Sequence, residues 1–252
     1  MRILWCNPSM RLTPFFLTAL LLTTPALAQQ TVFYKISSGT GFVINNEGHV
    51  VTNAHVVKAC KSISILTAKG EEQAELVAAD TEQDLAVLKT GFVSPFTAPL
   101  RWNIRDLKVG DAVVVMGYPG QEGSTGHYKF RKTSITSLKG PTGEDRFIQL
   151  TSVAAQGNSG GPVLDGSGNV IAVISGTALT YRADAGGQPT GNAIGQTDVA
   201  ITLAALQDFL RANRINFYES ASGLVAYGDG VLRDNAKNFI VPVRCIQDVV
   251  VQ

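Results

Sequence analysis

Residues 156–163 read Gln-Gly-Asn-Ser-Gly-Gly-Pro-Val, a serine in a glycine-rich turn directly before an apolar segment. A serine hydroxyl is a weak nucleophile at neutral pH and needs a base within hydrogen-bond reach. Glycines in such a turn can adopt backbone angles that aim two amide N–H groups at one point. The stretch therefore indicates a nucleophilic serine, Ser159, although taken alone it is equally compatible with an ordinary surface turn.

Two further segments carry the histidine and the carboxylates that such a serine would need. Residues 48–57 read Gly-His-Val-Val-Thr-Asn-Ala-His-Val-Val, and residues 80–88 read Asp-Thr-Glu-Gln-Asp-Leu-Ala-Val-Leu. An imidazole, with an unperturbed pKa of about 6.5, suits a general base at neutral pH. A carboxylate on its other nitrogen fixes the tautomer. His55 follows an apolar strand at once and is the candidate base, whereas Asp80 and Asp84 both remain candidates for the carboxylate.

The rest of the chain reads as short apolar strands separated by turn residues. Residues 62–65, Ser-Ile-Ser-Ile, alternate with the period of two that a half-buried strand shows. Residues 91–108 contain two prolines and little periodicity, so we expect them to link two sets of strands. Many short strands with regular turns favour an all-β sandwich or barrels over a parallel α/β fold. One helix is predicted over residues 203–212, where leucines recur at helical spacing and Thr202 can cap the first turn.

The N-terminal segment has the features of a secretory signal peptide. Basic residues precede an apolar run at residues 15–22, and Ala-Leu-Ala follows at residues 26–28. The run is shorter than the roughly 20 apolar residues that cross a bilayer; the alternative interpretation is an uncleaved membrane anchor. We expect cleavage after Ala28, no membrane span in the mature protein, and localisation in the periplasm or outside the cell.

Charge and cysteine content argue against a nucleic-acid-binding protein and against a zinc site. The formal net charge is +1 over 252 residues, without a long run of one sign, which argues against a nucleic-acid-binding protein. The three cysteines lack the CxxC spacing of a zinc site. After removal of the signal peptide Cys60 and Cys245 remain, and an even pair in an exported protein favours a disulfide between them. The alternative is two separate buried thiols.

Together the three motifs resemble those of chymotrypsin-like serine peptidases, and among them the HtrA/Deg type. Residues 52–57, Thr-Asn-Ala-His-Val-Val, are similar to the histidine motif of that family. Residues 84–89, Asp-Leu-Ala-Val-Leu-Lys, are similar to its aspartate motif, and residues 157–162, Gly-Asn-Ser-Gly-Gly-Pro, to its serine motif. Residues 38–44, Ser-Gly-Thr-Gly-Phe-Val-Ile, add to the similarity, which covers roughly residues 38–212.

The resemblance implies an all-β fold of two six-stranded antiparallel β-barrels with a C-terminal helix and a site in the cleft between the barrels. The signal peptide would be followed by the first barrel and linker at residues 29–108. The second barrel and the helix would occupy residues 109–215, and a tail would occupy residues 216–252.

The resemblance also assigns roles to the candidate residues. His55 is the expected general base, Asp84 the residue that orients it, and Ser159 the nucleophile. The backbone amides of Gly157 and Ser159 would form the oxyanion hole. No metal or organic cofactor is implied, and the expected partners are protein or peptide substrates.

The substrate pocket is placed by the same resemblance. Its floor falls at Val153 and Ala154, about six residues before the nucleophile, and its wall at Ile174, Ser175 and Gly176. A peptidase for Lys or Arg would favour an acid at the floor, because a buried cation needs a paired charge. The apolar floor therefore predicts cleavage after small or medium apolar residues.

Two departures from the family pattern limit which properties of the family can be expected of this chain. About 40 residues follow the predicted helix, too few for the peptide-binding PDZ domain that HtrA proteins usually carry. Thr151 stands eight residues before the nucleophile, where the family commonly has an aspartate.

The leading hypothesis is an exported serine endopeptidase in envelope protein quality control or processing. The alternatives are a protein-binding or chaperone-like module on a protease fold, and a resting enzyme that needs an activator.

Overall fold

Two closed β-barrels form the body of the protein. The computed structural model describes residues 33–103, 106–120, 126–152, 155–184, 186–222 and 226–249. The predicted signal peptide at residues 1–28 lies outside the described residues. Both barrels are antiparallel and six-stranded, so the fold class expected from the sequence is confirmed.

The first barrel joins strands from the two ends of the described chain. Its members are β1 (Phe33–Val43), β2 (His49–Thr52), β3 (Ser62–Thr67), β4 (Gly70–Asp80), β5 (Leu85–Thr90) and β14 (Ile240–Val249). Around the barrel they follow the order β1, β14, β3, β4, β5, β2. Cys245 of β14 pairs with Ser37 on one side and Ile63 on the other. Residues 216–252, a tail in the sequence-based division, thus supply the sixth strand of this barrel.

Large apolar side chains fill the first barrel. Phe42, Ile65 and Leu88 are fully buried, and burying a side chain of this size is worth about 1.5–3 kcal/mol. β2 is buried along its whole length and β5 along nearly all of it. A strand covered on both faces reads as a continuous apolar run, which explains why these two motif strands do not alternate.

The second barrel is built from the middle of the chain. Its strands are β7 (Ala112–Gly117), β8 (Lys129–Ser137), β9 (Phe147–Thr151), β10 (Pro162–Leu164), β11 (Val170–Ala183) and β12 (Pro189–Thr202). They follow the order β10, β7, β8, β9, β12, β11, and pairing of β10 with β11 closes the ring. The short strands β6 (Leu100–Arg101) and β13 (Glu219–Ser220) extend the sheet beside β11. The far halves of β11 and β12 leave the barrel as an exposed hairpin.

Three helices accompany the barrels in the described ranges: α1 (Ala54–Val57), α2 (Leu203–Ala212) and α3 (Asp229–Ala236). α2 has the predicted bounds, and the Thr202 hydroxyl caps it by accepting from the Ala205 N–H at 3.4 Å. α3 was not expected from the sequence; its Leu232 and Ala236 are buried. Within the described ranges, no helix combines the length and the apolar character that crossing a membrane requires.

A disulfide joins Cys60 to Cys245, with the two Cα atoms 5.3 Å apart. The predicted pairing is therefore confirmed. Cys60 follows the α1 turn, and Cys245 lies in β14, so the bond fastens the segment after His55 to the last strand of the barrel. It closes a loop between residues 185 positions apart in the chain.

Candidate active site

His55 and Asp84 meet at the rim of the first barrel. β2 ends at Thr52 and α1 begins at Ala54, so His55 leaves the barrel wall on a single helical turn. Its Nδ1 lies 2.9 Å from Asp84 Oδ1 and 2.8 Å from Asp84 Oδ2. Its backbone N–H donates to Oδ1 at 3.0 Å. The His55 side chain is 49% exposed, so a substrate can reach the imidazole.

The backbone of Asp84 adopts the left-handed conformation, with φ of 56°. Aspartate tolerates this region better than most residues, because its short polar side chain can form local hydrogen bonds. Asn53 Nδ2 donates to the Asp84 carbonyl at 2.8 Å. The residue at the start of the histidine turn therefore also holds the carboxylate's own backbone.

Two opposing effects set the pKa of Asp84. Burial acts to raise it, but hydrogen bonds from His55 and Ser175 outweigh burial and hold the pKa below its ordinary value of 3.8. Asp84 is therefore a charged carboxylate at neutral pH. A carboxylate can only accept hydrogen bonds, so it keeps the proton of a neutral His55 on Nδ1 and leaves Nε2 as the acceptor.

Ser175 connects this pair to the serine turn. Its hydroxyl donates to Asp84 Oδ2 at 2.7 Å, and its carbonyl accepts from Ser159 Oγ at 3.2 Å. Ser159 is therefore next to the His55–Asp84 pair, although its hydroxyl donates to Ser175 and not to His55 in this structure. Sequence reasoning placed Ser175 only in the pocket wall, and nothing in the sequence pattern signals its contact with Asp84.

The turn around Ser159 is held by its carbonyl groups. The Gln156 carbonyl accepts from the Gly120 N–H at 2.7 Å. Because a trans peptide points its C=O and the next N–H in opposite directions, the Gly157 N–H faces away from Gly120. Gly157 has φ of 100°, and a Cβ there would lie 2.5 Å from the Tyr118 carbonyl. Only glycine fits this position of the predicted oxyanion hole.

The same turn is pressed against the first barrel. A Cβ at Gly160, whose φ is 85°, would lie 2.2 Å from the Thr40 carbonyl oxygen and 2.4 Å from Thr52 Oγ1. A Cβ at Gly39 would lie 3.1 Å from the Ser159 carbonyl oxygen. Gly160 of the serine turn and Gly39 of β1 thus allow the backbones of the two barrels to touch beside Ser159.

Part of the predicted pocket can be located. Val153 and Ala154 lie outside the described residues. Ile174 is buried in the second barrel, and Ser175 and Gly176 follow it along β11.

A carboxylate that sequence reasoning missed lies beside this pocket wall. Asp198 of β12 is fully buried. Its Oδ1 accepts from Thr177 Oγ1 at 3.2 Å and from Ser152 Oγ at 3.4 Å. Both donors are next to residues of the predicted pocket in the sequence, so Asp198 lies close to the predicted pocket wall.

Asp80, the competing carboxylate, serves a different purpose. Its Oδ1 accepts from the backbone N–H groups of Glu82 and Gln83, both at 2.9 Å. This pattern caps the turn that leads to Asp84. The geometry supports Asp84, and not Asp80, as the partner of His55.

Comparison with known proteins agrees with this geometry. The trypsin-like peptidase domain family matches residues 39–173. An uncharacterized protein, y4bJ, from Sinorhizobium fredii is 34% identical over 225 residues, which cover 88% of this chain and 34% of that protein. A probable periplasmic serine endoprotease described as DegP-like, from Brucella suis, is 38% identical over 149 residues, 55% of this chain and 27% of the relative. The chain thus spans about a third or less of the length of these curated relatives.

Solved structures show the same likeness. The HtrA-type protease AlgW with a tripeptide superposes with a TM-score of 0.54 at 25% identity, covering 70% of this chain and 55% of AlgW. The inactive form of the Rv3671c protease gives a TM-score of 0.53 at 30% identity, covering 71% of this chain and 87% of that one.

Proposed function

This chain belongs to the trypsin-like peptidase domain family, and we propose that it is an exported serine endopeptidase with a Ser159–His55–Asp84 triad. The observation that carries the proposal is the pair of contacts made by Ser175. That one residue donates to the Asp84 carboxylate and accepts from the Ser159 hydroxyl. The three proposed residues are thereby linked at the meeting of the two barrels: Ser175 contacts Asp84 and Ser159, and Asp84 contacts His55.

The proposed reaction proceeds through an acyl-enzyme. His55 Nε2 takes the Ser159 proton as Oγ attacks the carbonyl carbon of the scissile peptide bond. The same proton then passes to the leaving amine as the carbon–nitrogen bond breaks and an ester to Ser159 remains. Water, activated by His55, hydrolyses that ester and restores the serine. Asp84 stays charged throughout and stabilises the imidazolium that forms transiently.

The oxyanion of the tetrahedral intermediate is assigned to the N–H groups of Gly157 and Ser159. The direction of the Gly157 N–H, opposite to the Gly120 contact, supports this assignment. Removal of one such donor from a peptidase typically lowers kcat about 10²–10³-fold. We therefore expect each donor to contribute about 3–4 kcal/mol of transition-state stabilisation.

We further propose that the enzyme acts on proteins of the bacterial envelope, in quality control or processing. Support comes from the signal-peptide pattern at residues 1–28 and from relatives described as probable periplasmic endoproteases. Fractionation of cells that produce the full chain, with N-terminal sequencing, tests this location. We expect a mature protein beginning at Gln29 in the periplasm or the medium; a cytoplasmic product that retains residues 1–28 would contradict it.

Labelling with a fluorescent fluorophosphonate tests the activity. This reagent phosphonylates a serine only when a base activates it, so the wild type should become labelled and Ser159→Ala should not. Both proteins are first shown to be folded by thermal unfolding. A folded wild type that remains unlabelled would contradict the proposal of an active enzyme.

One contact favours a second candidate, a resting enzyme that an activator must rearrange. The Ser159 hydroxyl donates to the Ser175 carbonyl, and attack on a substrate requires it to turn to His55. Incubation with denatured protein substrates before labelling separates the two forms. An enzyme active at rest labels no faster with the substrate than without it, because the substrate competes with the reagent for the site. A resting enzyme labels faster after incubation.

A further inference from the structure

The β1 strand carries a buried residue that contacts the serine turn of the other barrel through both its backbone and its side chain. Thr40 has no exposed surface. Its N–H donates to the Ser159 carbonyl at 2.8 Å, and its Oγ1 donates to the Gly157 carbonyl at 2.7 Å. A third bond, from the Tyr118 N–H at 2.9 Å, is accepted by the same Oγ1.

These bonds follow from the local shape of β1. β2 pairs with β1 only at Phe42 and Val43, so β1 has a free edge at Thr40 on that side. The serine turn occupies that edge in place of a partner strand. The Thr40 carbonyl on the same edge accepts from Thr52 Oγ1 at 2.7 Å. Every hydrogen-bonding group of Thr40 is therefore used, and its hydroxyl proton has one acceptor, the Gly157 oxygen.

The hydrogen bond from Thr40 Oγ1 to the Gly157 carbonyl bears on catalysis because of where that carbonyl lies in the chain. The Gly157–Asn158 peptide lies in the chain between the two amides assigned to the oxyanion hole, those of Gly157 and Ser159. A peptide group is planar, so fixing its carbonyl fixes the plane that connects the two donors. Within the turn, the Asn158 N–H of this peptide donates to the Ala155 carbonyl at 2.9 Å. The Thr40 hydroxyl holds the opposite side of the same peptide, and glycine on its own restricts the backbone least.

We propose that the Thr40 hydroxyl is a positioning group for the oxyanion hole: the first barrel uses it to set the orientation of the Gly157–Asn158 peptide in the second. The expected effect on catalysis rests on the proposed peptidase function. The expected effect on the conformation of the turn does not depend on that function. Thr40 touches neither substrate nor the reacting atoms and acts only through Gly157 and Ser159.

Three variants separate positioning from stability. Thr40→Val keeps the branched shape and removes the hydroxyl, whereas Thr40→Ser keeps the hydroxyl. Thr90→Val is the matched control, because Thr90 is also a buried threonine of the first barrel whose hydroxyl donates to a carbonyl, that of Gly48. Thr90 lies on β5 and has no contact with the serine turn.

The first measurement is amide hydrogen exchange of the peptide that spans residues 155–161. In Thr40→Val we expect exchange about ten-fold faster than in wild type, because the turn opens locally once its anchor is removed. In Thr40→Ser and Thr90→Val exchange should match wild type. Unchanged exchange in Thr40→Val would overturn the inference whether or not the protein is an enzyme.

The second measurement is the rate of fluorophosphonate labelling and of peptide hydrolysis. Thr40→Val should lower kcat and the labelling rate about ten-fold or more with KM nearly unchanged, as expected for an interaction made only in the transition state. Thr40→Ser should recover most of the rate, and Thr90→Val should keep it despite a similar fall in Tm. A loss of kcat that follows Tm equally in both valine variants would overturn the positioning role. An unlabelled wild type would instead count against the proposed function, while hydrogen exchange still decides the role of Thr40.

Discussion

Replacement of Asp84 by asparagine tests the catalytic assignment most directly. The carboxylate receives three donors: the His55 backbone N–H, the His55 Nδ1–H and the Ser175 hydroxyl. An asparagine side chain offers one oxygen and one NH₂. The His55 backbone N–H cannot accept, so the oxygen should stay opposite it and the NH₂ should face His55 Nδ1 and the Ser175 hydroxyl. Loss of the hydrogen bonds to a charged carboxylate should cost about 1–3 kcal/mol of stability.

The kinetic cost should be larger. An NH₂ group facing His55 Nδ1 forces the proton onto Nε2, where it blocks acceptance of the Ser159 proton. The same exchange in a well-characterised triad lowers kcat about 10⁴-fold, which corresponds to about 5 kcal/mol of barrier. We expect a loss of that order in kcat for a peptide substrate and a parallel loss in fluorophosphonate labelling.

Asp80→Asn is the matched control. It removes the same charge four residues away, from a carboxylate that only caps a turn, so kcat should stay within a few-fold of wild type. Turnover of Asp84→Asn within ten-fold of wild type would refute the assignment of the acid. A loss of activity in Asp80→Asn equal to that in Asp84→Asn would refute it as well.

Three further predictions concern the disulfide, the contact between the barrels and the pocket. Intact mass after alkylation without reductant should show no modified thiol at Cys60 or Cys245, and reduction should lower the free energy of unfolding by about 2–5 kcal/mol; two alkylated thiols in the native protein would contradict the bridge. Gly160→Ala should lower Tm far more than Gly110→Ala, because both glycines have positive φ but only Gly160 faces backbone of the other barrel; equal shifts would contradict tight contact there. Peptides with Val or Ala before the scissile bond should be cleaved faster than those with Arg, because Asp198 is fully buried under two hydroxyl donors; rapid cleavage after Arg that Asp198→Asn abolishes would show the reverse.

The candidate site can be proposed from the sequence because each of its motifs is local. Each motif places a candidate side chain directly beside an apolar strand, so His55 and Ser159 can be proposed without knowing how the barrels pack. The residues alone leave Asp80 and Asp84 open, and the family resemblance favours Asp84. The predicted helix over residues 203–212 has the same local basis, a cap and a repeat of leucines. The disulfide also follows from few residues, because only Cys60 and Cys245 remain once the predicted signal peptide is removed.

What the sequence does not reveal depends on contacts between distant segments. Ile240–Val249 has the composition of a strand, but nothing in it names β1 and β3 as its partners. Thr40 and Ser175 are common polar residues, and their importance comes from carbonyl and carboxylate groups more than 90 positions away. Asp198 is a charged residue in β12, and its burial depends on the pairing of β12 with β9 and β11.

The place of β14 in the first barrel also imposes an order on the protein's maturation. A polypeptide that emerges from its N-terminus exposes β1 to β5 first, and these five strands cannot close a ring. Closure waits for Ile240–Val249, after the whole second barrel has emerged, and the disulfide, whose residues are 185 positions apart, also cannot form before Cys245 emerges. Pairings of such long range form slowly. We therefore expect the barrel that carries His55 to be completed last. In the exported peptidase proposed above, a half-emerged chain would hold the Ser159 turn without a finished partner, and its candidate site would form only after the last strand has emerged.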